Sequence, residues 1–417
     1  MNAIVLVASE LDLGYVGCYG NEWVQTPNLD RLAAEGIVFD QHIADRVDET
    51  EGERAWQTGC YRFSGDKRSD KPPSPEPITL LPVLAEHDVG TFLIRDRRLS
   101  PHPARWDDWK QIHLIDSGKA EAAFQDDLSA ALIQAFDSLK NRRQWLLKLD
   151  LGVLLAPSNI PDEYQDRYGE MELDADDGDD PALSEALEPA EIALAEQQNQ
   201  YAAAVTYLDA LVGQVLHEGG QHGQLQEAVV FVTADHGRKL GEDAVRPPSR
   251  RLAHEELCHI PLLLRLPNKE AAGRRIAALT QPIDLLPTLF EVFGVPLPVV
   301  HGQSLLPLVR GQKDQIREYA CTELATGQAT EWALRTPQWA YLLAGSCSAD
   351  AAAESELYVK PDDRLEVNNV RHLHLGWAER LQLTLQMFIE ATRRSGPLQP
   401  PRLPDQGSET AQQEEPS

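Results

Sequence analysis

No apolar stretch of this 417-residue sequence reaches the ~20 residues that a bilayer span requires, which excludes a helical membrane protein. Cysteine is scarce. The five present, Cys18, Cys60, Cys258, Cys321 and Cys347, are an odd number without metal-ligand spacing, so they read as reduced thiols or small buried hydrophobes. Basic residues are few, with 38 Lys and Arg against 66 Asp and Glu and a formal net charge of −28. Nucleic acid and anionic membranes are thereby excluded as partners, because association with phosphates depends on Lys and Arg releasing counter-ions. The first strand starts at about residue 3, leaving no room for a cleavable signal peptide, and together with reduced thiols this predicts a cytoplasmic protein. Internal repeats are absent.

Patterning supplies the organisation. Ile4 to Ala8 is a continuous apolar run suited to a strand buried on both faces, and Thr26 with Pro27 caps and starts a helix that Gly36 ends. The length exceeds a single ordinary core. The reading is therefore a large α/β domain over 1–311 and a smaller C-terminal subdomain over 312–395, with strands at Ala333–Leu343 and Glu356–Val359 and a helix from Leu375 to Arg394. An acidic surface insertion is expected at about 162–196, which contains LDADDGDDP, and a Pro-, Gln-, Glu- and Ser-rich disordered tail at 396–417.

Residues 2–39, NAIVLVASELDLGYVGCYGNEWVQTPNLDRLAAEGIVF, resemble the opening of the sulfatase family within the alkaline-phosphatase superfamily. Residues 201–237, ending in VVFVTADHG, look like that family's long helix and the strand that delivers a metal-binding Asp-His pair. IPLLLRLP and IDLLPTLFEVFGVPLPVVHGQSLLPL resemble its next strand and helix, and ALRTPQWAYLL with ELYVKPDDRLEVNNV resembles its antiparallel C-terminal subdomain. The fold implied is α/β and sulfatase-like: a mixed, mostly parallel sheet flanked by helices, with a small antiparallel C-terminal subdomain. The activity implied is hydrolysis of sulfate or phosphate esters. In that family a divalent cation, calcium or magnesium, with Lys, His and Arg groups neutralises the ester, while a formylglycine matured from Cys or Ser, or a Ser or Thr in phosphate-specific relatives, attacks it.

Placed on that pattern without gaps, the chain carries different chemistry. The paired N-terminal metal aspartates fall on Ser9 and Glu10. The nucleophile position falls on Glu49 and its partner Arg position on Glu53, counted either forward from Phe39 or backward from Thr58 and Gly59. Glu49 cannot be oxidised to an aldehyde hydrate, so no formylglycine is expected. Exchanging a thiol and a guanidinium for two carboxylates changes the local charge by about minus three. Each like-charge contact near 4 Å costs on the order of 4 kcal/mol at a protein-like dielectric, and Asp45, Asp48 and Glu51 share the loop.

The other positions follow suit. Asp96 falls where the family has Lys, Leu155 or Ala156 where it has His, and only Arg250 or Arg251 stands near its next Lys. Asp235 and His236 are retained, either as metal ligands with Glu10 and the altered Ser9, or as polar groups satisfying a strand end. Glu49 is a further metal ligand in one variant, occupying the place of a substrate oxygen. His254 and His259 in HEELCH are five apart, whereas a zinc helix needs four.

The expectation is a degenerate sulfatase-family pseudoenzyme acting by binding or assembly with a protein partner. The alternative is an active metal-dependent ester hydrolase with Thr50 as nucleophile and Arg54 as its partner, which needs a one-residue deletion in a helix and a turn of about 100°. A small anionic ester is the substrate only in that alternative.

Overall fold

Apolar runs of five to seven residues build the central layer. The computed structural model describes residues 1–63, 79–99, 108–157, 160–168, 189–240, 253–326, 329–344, 355–394 and 397–403; for 49–51, 189–191, 326 and 329 it describes the backbone alone. Eight strands form one sheet: β1 (Asn2–Ala8), β2 (Ile37–His42), β3 (Gly90–Asp96), β4 (Gln111–Ile115), β5 (Trp145–Leu151), β6 (Ala228–Thr233), β7 (Leu262–Arg265) and β8 (Arg274–Thr280). Their spatial order is β4-β3-β5-β1-β6-β7-β2-β8. The pairs around β1 and β3 are parallel, whereas β7 runs antiparallel to both β6 and β2. This is the mixed, mostly parallel sheet that the resemblance implies. A second sheet of β9 (Ala320–Thr326), β10 (Ala329–Arg335), β11 (Trp339–Ala344) and β12 (Ser355–Val359) is antiparallel throughout.

By internal contacts the chain divides into two units: Met1–Val38 with Leu84–Ser249 and Ile260–Arg275, and Phe39–Val83 with Arg250–His259 and Ile276–Ser417. In the first unit β1, β3, β5 and β6 are buried almost throughout, as strands covered on both faces must be. Helices Glu121–Leu139 and Pro189–Gln221 carry their apolar stripes into its core. In the second unit Trp332, Leu334, Tyr341 and Leu343 present one sheet face to Trp377, Leu381, Leu385 and Phe388 of helix Leu375–Thr392. The three- and four-residue spacing puts those helix residues on one stripe, and each large side chain buried there contributes roughly 1.5–3 kcal/mol.

Two local expectations are corrected. The strand expected over 333–343 is a hairpin of β10 and β11: Pro337 lacks an N–H for the ladder, and the Thr336 hydroxyl accepts the N–H groups of Gln338 and Trp339 at 3.2 and 3.0 Å. Thr26 makes no cap bond to helix Pro27–Ala34; its hydroxyl accepts Gly17 N–H at 2.9 Å. The orphan N–H groups of Asn28 and Leu29 are taken instead by Asp209, at 3.1 and 2.8 Å, which is the capping chemistry supplied from a distant helix. Gly36 follows because a Cβ there would meet the Leu264 carbonyl at 2.6 Å.

Most of the acidic insertion, at 169–188, and the tail from 404 lie outside the described residues, as do Arg250 and Arg251. Residues 397–403 of that tail pack Leu398 and Leu403 against the second unit's core. Among the described residues no helix is long and apolar enough to cross a membrane.

Candidate functional site

In the first unit, the parallel pairing of β1 with β6 aligns Val7 with Thr233, so the segments leaving the two strands emerge side by side at the carboxyl edge of the sheet, where open α/β sheets hold their ligands. This brings Ser9, Glu10, Asp235 and His236 together. Asp235 is the hub: its Oδ2 accepts the Ser9 hydroxyl at 2.6 Å, and its Oδ1 accepts the backbone N–H groups of Glu10 at 3.1 Å and His236 at 2.7 Å. His236 Nδ1 donates to the Gly237 carbonyl at 2.9 Å. Glu10 sits at φ 64, a conformation costing a non-glycine residue about 1–2 kcal/mol. Tyr201 holds it there, its hydroxyl donating to the Glu10 carbonyl at 2.6 Å and accepting Asp12 N–H at 2.8 Å.

The residue that sequence reading missed is Arg238. Its guanidinium donates to the Glu10 carboxylate at 2.9 Å and to the Leu154 carbonyl at 2.7 Å, 5.7 Å above the Tyr201 ring. The signal was present in the cation two residues after His236, beside an acidic ligand position otherwise left without a counter-ion.

Sulfatases generally use a divalent cation, and the donor set among the described residues does not fit calcium or magnesium, which take about six oxygen ligands. Ser9 offers a hydroxyl whose proton is committed to Asp235, Asp235 already accepts three donors, and Glu10 is neutralised by a guanidinium. Among the described residues no three His, Cys, Asp or Glu side chains form a metal-binding group.

The neighbouring strands are closed in the same way. Asp96 accepts N–H groups from Arg98 at 3.0 Å and from Ser117 and Gly152, both at 3.3 Å, so its carboxylate terminates β3, β4 and β5. Asp150 lies between Arg95 at 2.8 Å and Lys148 at 2.6 Å, all three buried. Leu155 ends the short turn Val153–Leu155 and Ala156 follows it, both half-buried.

In the second unit, Glu49 is the first residue of helix Glu49–Thr58, where a carboxylate suits the helix dipole; the side chains of Glu49 and Thr50 are outside the described residues. Glu53 is buried and accepts Gln57 Nε2 at 2.9 Å, while Arg54 is half-buried. Upstream, Arg46 pairs with the buried Glu323 at 2.7 Å. Asp45 is fully buried, neither carboxylate oxygen has a hydrogen-bond partner among the described residues, and burial pushes its pKa up to about 7. His254 and His259 flank the single turn Glu255–Cys258 and bond to carboxylates, Glu366 at 3.0 Å and Glu255 at 2.6 Å.

The mixed, mostly parallel sheet and the small antiparallel sheet also agree with what comparison finds. The Sulfatase family model matches residues 122–295, and the model for N-sulphoglucosamine sulphohydrolase, C-terminal, matches 248–384. The N-acetylglucosamine-6-O-sulfatase of Bacteroides thetaiotaomicron is 22% identical over 410 residues, 75% of this chain and 71% of that protein. Human steryl-sulfatase is 23% identical over 412 residues, 75% and 70%. The phosphonate monoester hydrolase of Agrobacterium radiobacter superposes with a TM-score of 0.70 at 16% identity, over 93% of this chain and 95% of that one. The chain belongs to the sulfatase/alkaline-phosphatase-like superfamily.

Proposed function

We propose that this superfamily member does not hydrolyse esters and acts by binding, as an assembly or recognition subunit for a protein partner. The observation that carries this reading is the Arg238–Glu10 pair at 2.9 Å: a fixed side-chain cation stands among the groups that match the superfamily's metal ligands. A guanidinium supplies charge but has no open coordination position, so it neither polarises an ester oxygen as a Lewis acid nor exchanges ligands during turnover. Glu49 at the nucleophile position adds a second obstacle, since a carboxylate matures to no formylglycine and repels an ester dianion. The net charge of −28 favours a partner with a basic surface, met through electrostatic steering. A cytoplasmic setting accords with Cys18, Cys60, Cys258 and Cys321, all free thiols.

The test is turnover of 4-nitrophenyl sulfate, 4-nitrophenyl phosphate and N-acetylglucosamine-6-sulfate with calcium, magnesium or manganese supplied. No release above the uncatalysed rate is expected. Hydrolysis that disappears with Asp235→Ala or Thr50→Ala would overturn the proposal in favour of Thr50 as nucleophile.

A further inference from the structure

The second unit encloses a cavity of about 390 Å³ between the lead into β9, the helix Leu375–Thr392 and the segment 397–403. One wall is aromatic. Tyr61 and Tyr319 each meet Phe388 edge-on, with ring centroids 5.0 and 5.5 Å apart, and Tyr61 also stacks on His301 at 5.9 Å, so what the wall offers another ring is aromatic carbon for an edge-to-face contact. The polar side is cationic. Arg317 donates to Tyr61 Oη and Gln281 Oε1, both at 2.8 Å, and to Asp284, yet its buried Nε–H has no hydrogen-bond acceptor among the described residues. His301 Nδ1 accepts the Tyr61 N–H at 3.1 Å, so the ring's proton is on Nε2, another donor.

Lys313 and Arg402 are exposed at the rim. Against them stands Glu318, whose carboxylate accepts Leu403 N–H at 3.3 Å; Asp284 is held by Arg317. The cover is the segment 397–403 itself, tied where Tyr319 Oη donates to the Pro401 carbonyl at 2.8 Å. An excess of donors and cations around an aromatic wall stands out in so acidic a chain, and the volume falls within the usual range for small-molecule pockets.

We propose that this cavity binds a small anion carrying one or two flat rings, an aromatic carboxylate or sulfonate, with its ring on Tyr61, Tyr319 and Phe388 and its head group toward Lys313 and Arg402. The site is separate from the groups around Asp235, and the inference does not depend on whether esters are hydrolysed.

Isothermal titration of the full-length protein with 2-naphthoate and naphthalene-2-sulfonate, against neutral 2-naphthol and inorganic sulfate, tests it. Saturable binding of at least one of the two anions is expected, about tenfold tighter than 2-naphthol or sulfate, the better of them identifying the preferred head group. The charge reversal Lys313→Glu with Arg402→Glu, on two exposed side chains, is expected to weaken binding by about tenfold, equivalent to about 1.4 kcal/mol. Equal binding of 2-naphthol, equal binding of sulfate, affinity unchanged by the double reversal, or no heat at millimolar anion would each overturn the proposal.

Discussion

Replacing Arg238 by methionine isolates the role assigned to its charge, because the stem is largely kept while the guanidinium is lost. Two unit charges about 4 Å apart attract by about 4 kcal/mol at an effective dielectric of 20. Both side chains are about one-quarter exposed, 22% and 26%, so desolvation and ordering return most of that, leaving about 1 kcal/mol for the pair. The Leu154 carbonyl loses a charged donor as well, roughly 1 kcal/mol more. With an unfolding entropy of about 2.1 cal/mol/K per residue over 417 residues, a total of about 2 kcal/mol lowers Tm by about 2 °C. The informative arm is divalent cation. In the native protein 10 mM calcium or magnesium is expected to leave the urea midpoint where EDTA leaves it. In Arg238→Met, Glu10 and Asp235 lack a counter-ion, and a cation bound with a Kd of about 1 mM returns about 1.4 kcal/mol at that concentration. Circular dichroism through urea unfolding reads both arms. Native protein stabilised by calcium as much as the variant would refute the reasoning, since it would mean that the guanidinium yields its place.

Other perturbations read other parts of the structure. Asp45 is protonated in the folded state up to about pH 7 but ionised in the unfolded chain above about 4, so the folded state binds more protons in that window and stability falls as pH rises through it, by about 4 kcal/mol at most, then levels off. Asp45→Asn is expected to flatten that slope, with no gain over the native protein near pH 4 and the full gain at pH 8, measured by denaturant midpoints. Burial alone would raise the Glu366 pKa, but Arg335, His254 and Lys360 hold it well below the usual carboxylate range; its contribution is therefore complete above that range and lost as acid protonates it. Glu366→Ala removes one of the two carboxylates that Arg335 and Lys360 share, leaving them Glu255, and is expected to cost about 3 kcal/mol at pH 7. In Gly302→Ala the new Cβ would stand 2.0 Å from the Ile283 carbonyl oxygen, and a loss of about 3 kcal/mol is expected in the same assay.

What the sequence made legible was whatever depends on local order. The apolar runs of β1 and β6 declared two buried strands, and the Asp-His pair follows β6, where Asp235 meets Ser9 and Glu10. Arg238 was hidden because its partner Glu10 is 228 residues away in sequence, and only the parallel pairing of β1 with β6 makes them neighbours. Asp209 was hidden in the same way: it sits on a long helix but caps another, 180 residues away at Leu29. Lys148 and Asp150 interrupt an apolar run in β5 and would read as a solvent face, yet both are buried, since i and i+2 share one face of a strand and Arg95 of β3 lies in register with Asp150.

These pairings share one physical logic. A buried carboxylate needs a counter-charge, hydrogen-bond donors or a proton. In this chain Arg95 and Lys148 meet Asp150, Arg46 meets Glu323, Arg317 meets Asp284, and Arg335 and Lys360 meet Glu366. The half-buried Glu10 is paired with a cation in the same way, through Arg238. Asp96 and Asp209 are held by backbone N–H donors instead, and Asp45 takes the proton. A metal ion would tie folding to ion concentration, since its binding energy becomes folding energy. A covalently attached cation in such a place carries no such dependence, and it offers no open coordination position of the kind metal-assisted ester hydrolysis needs. The proposed loss of hydrolysis therefore turns on the pairing of Glu10 with Arg238, since a guanidinium can hold the strand ends together without offering a coordination position.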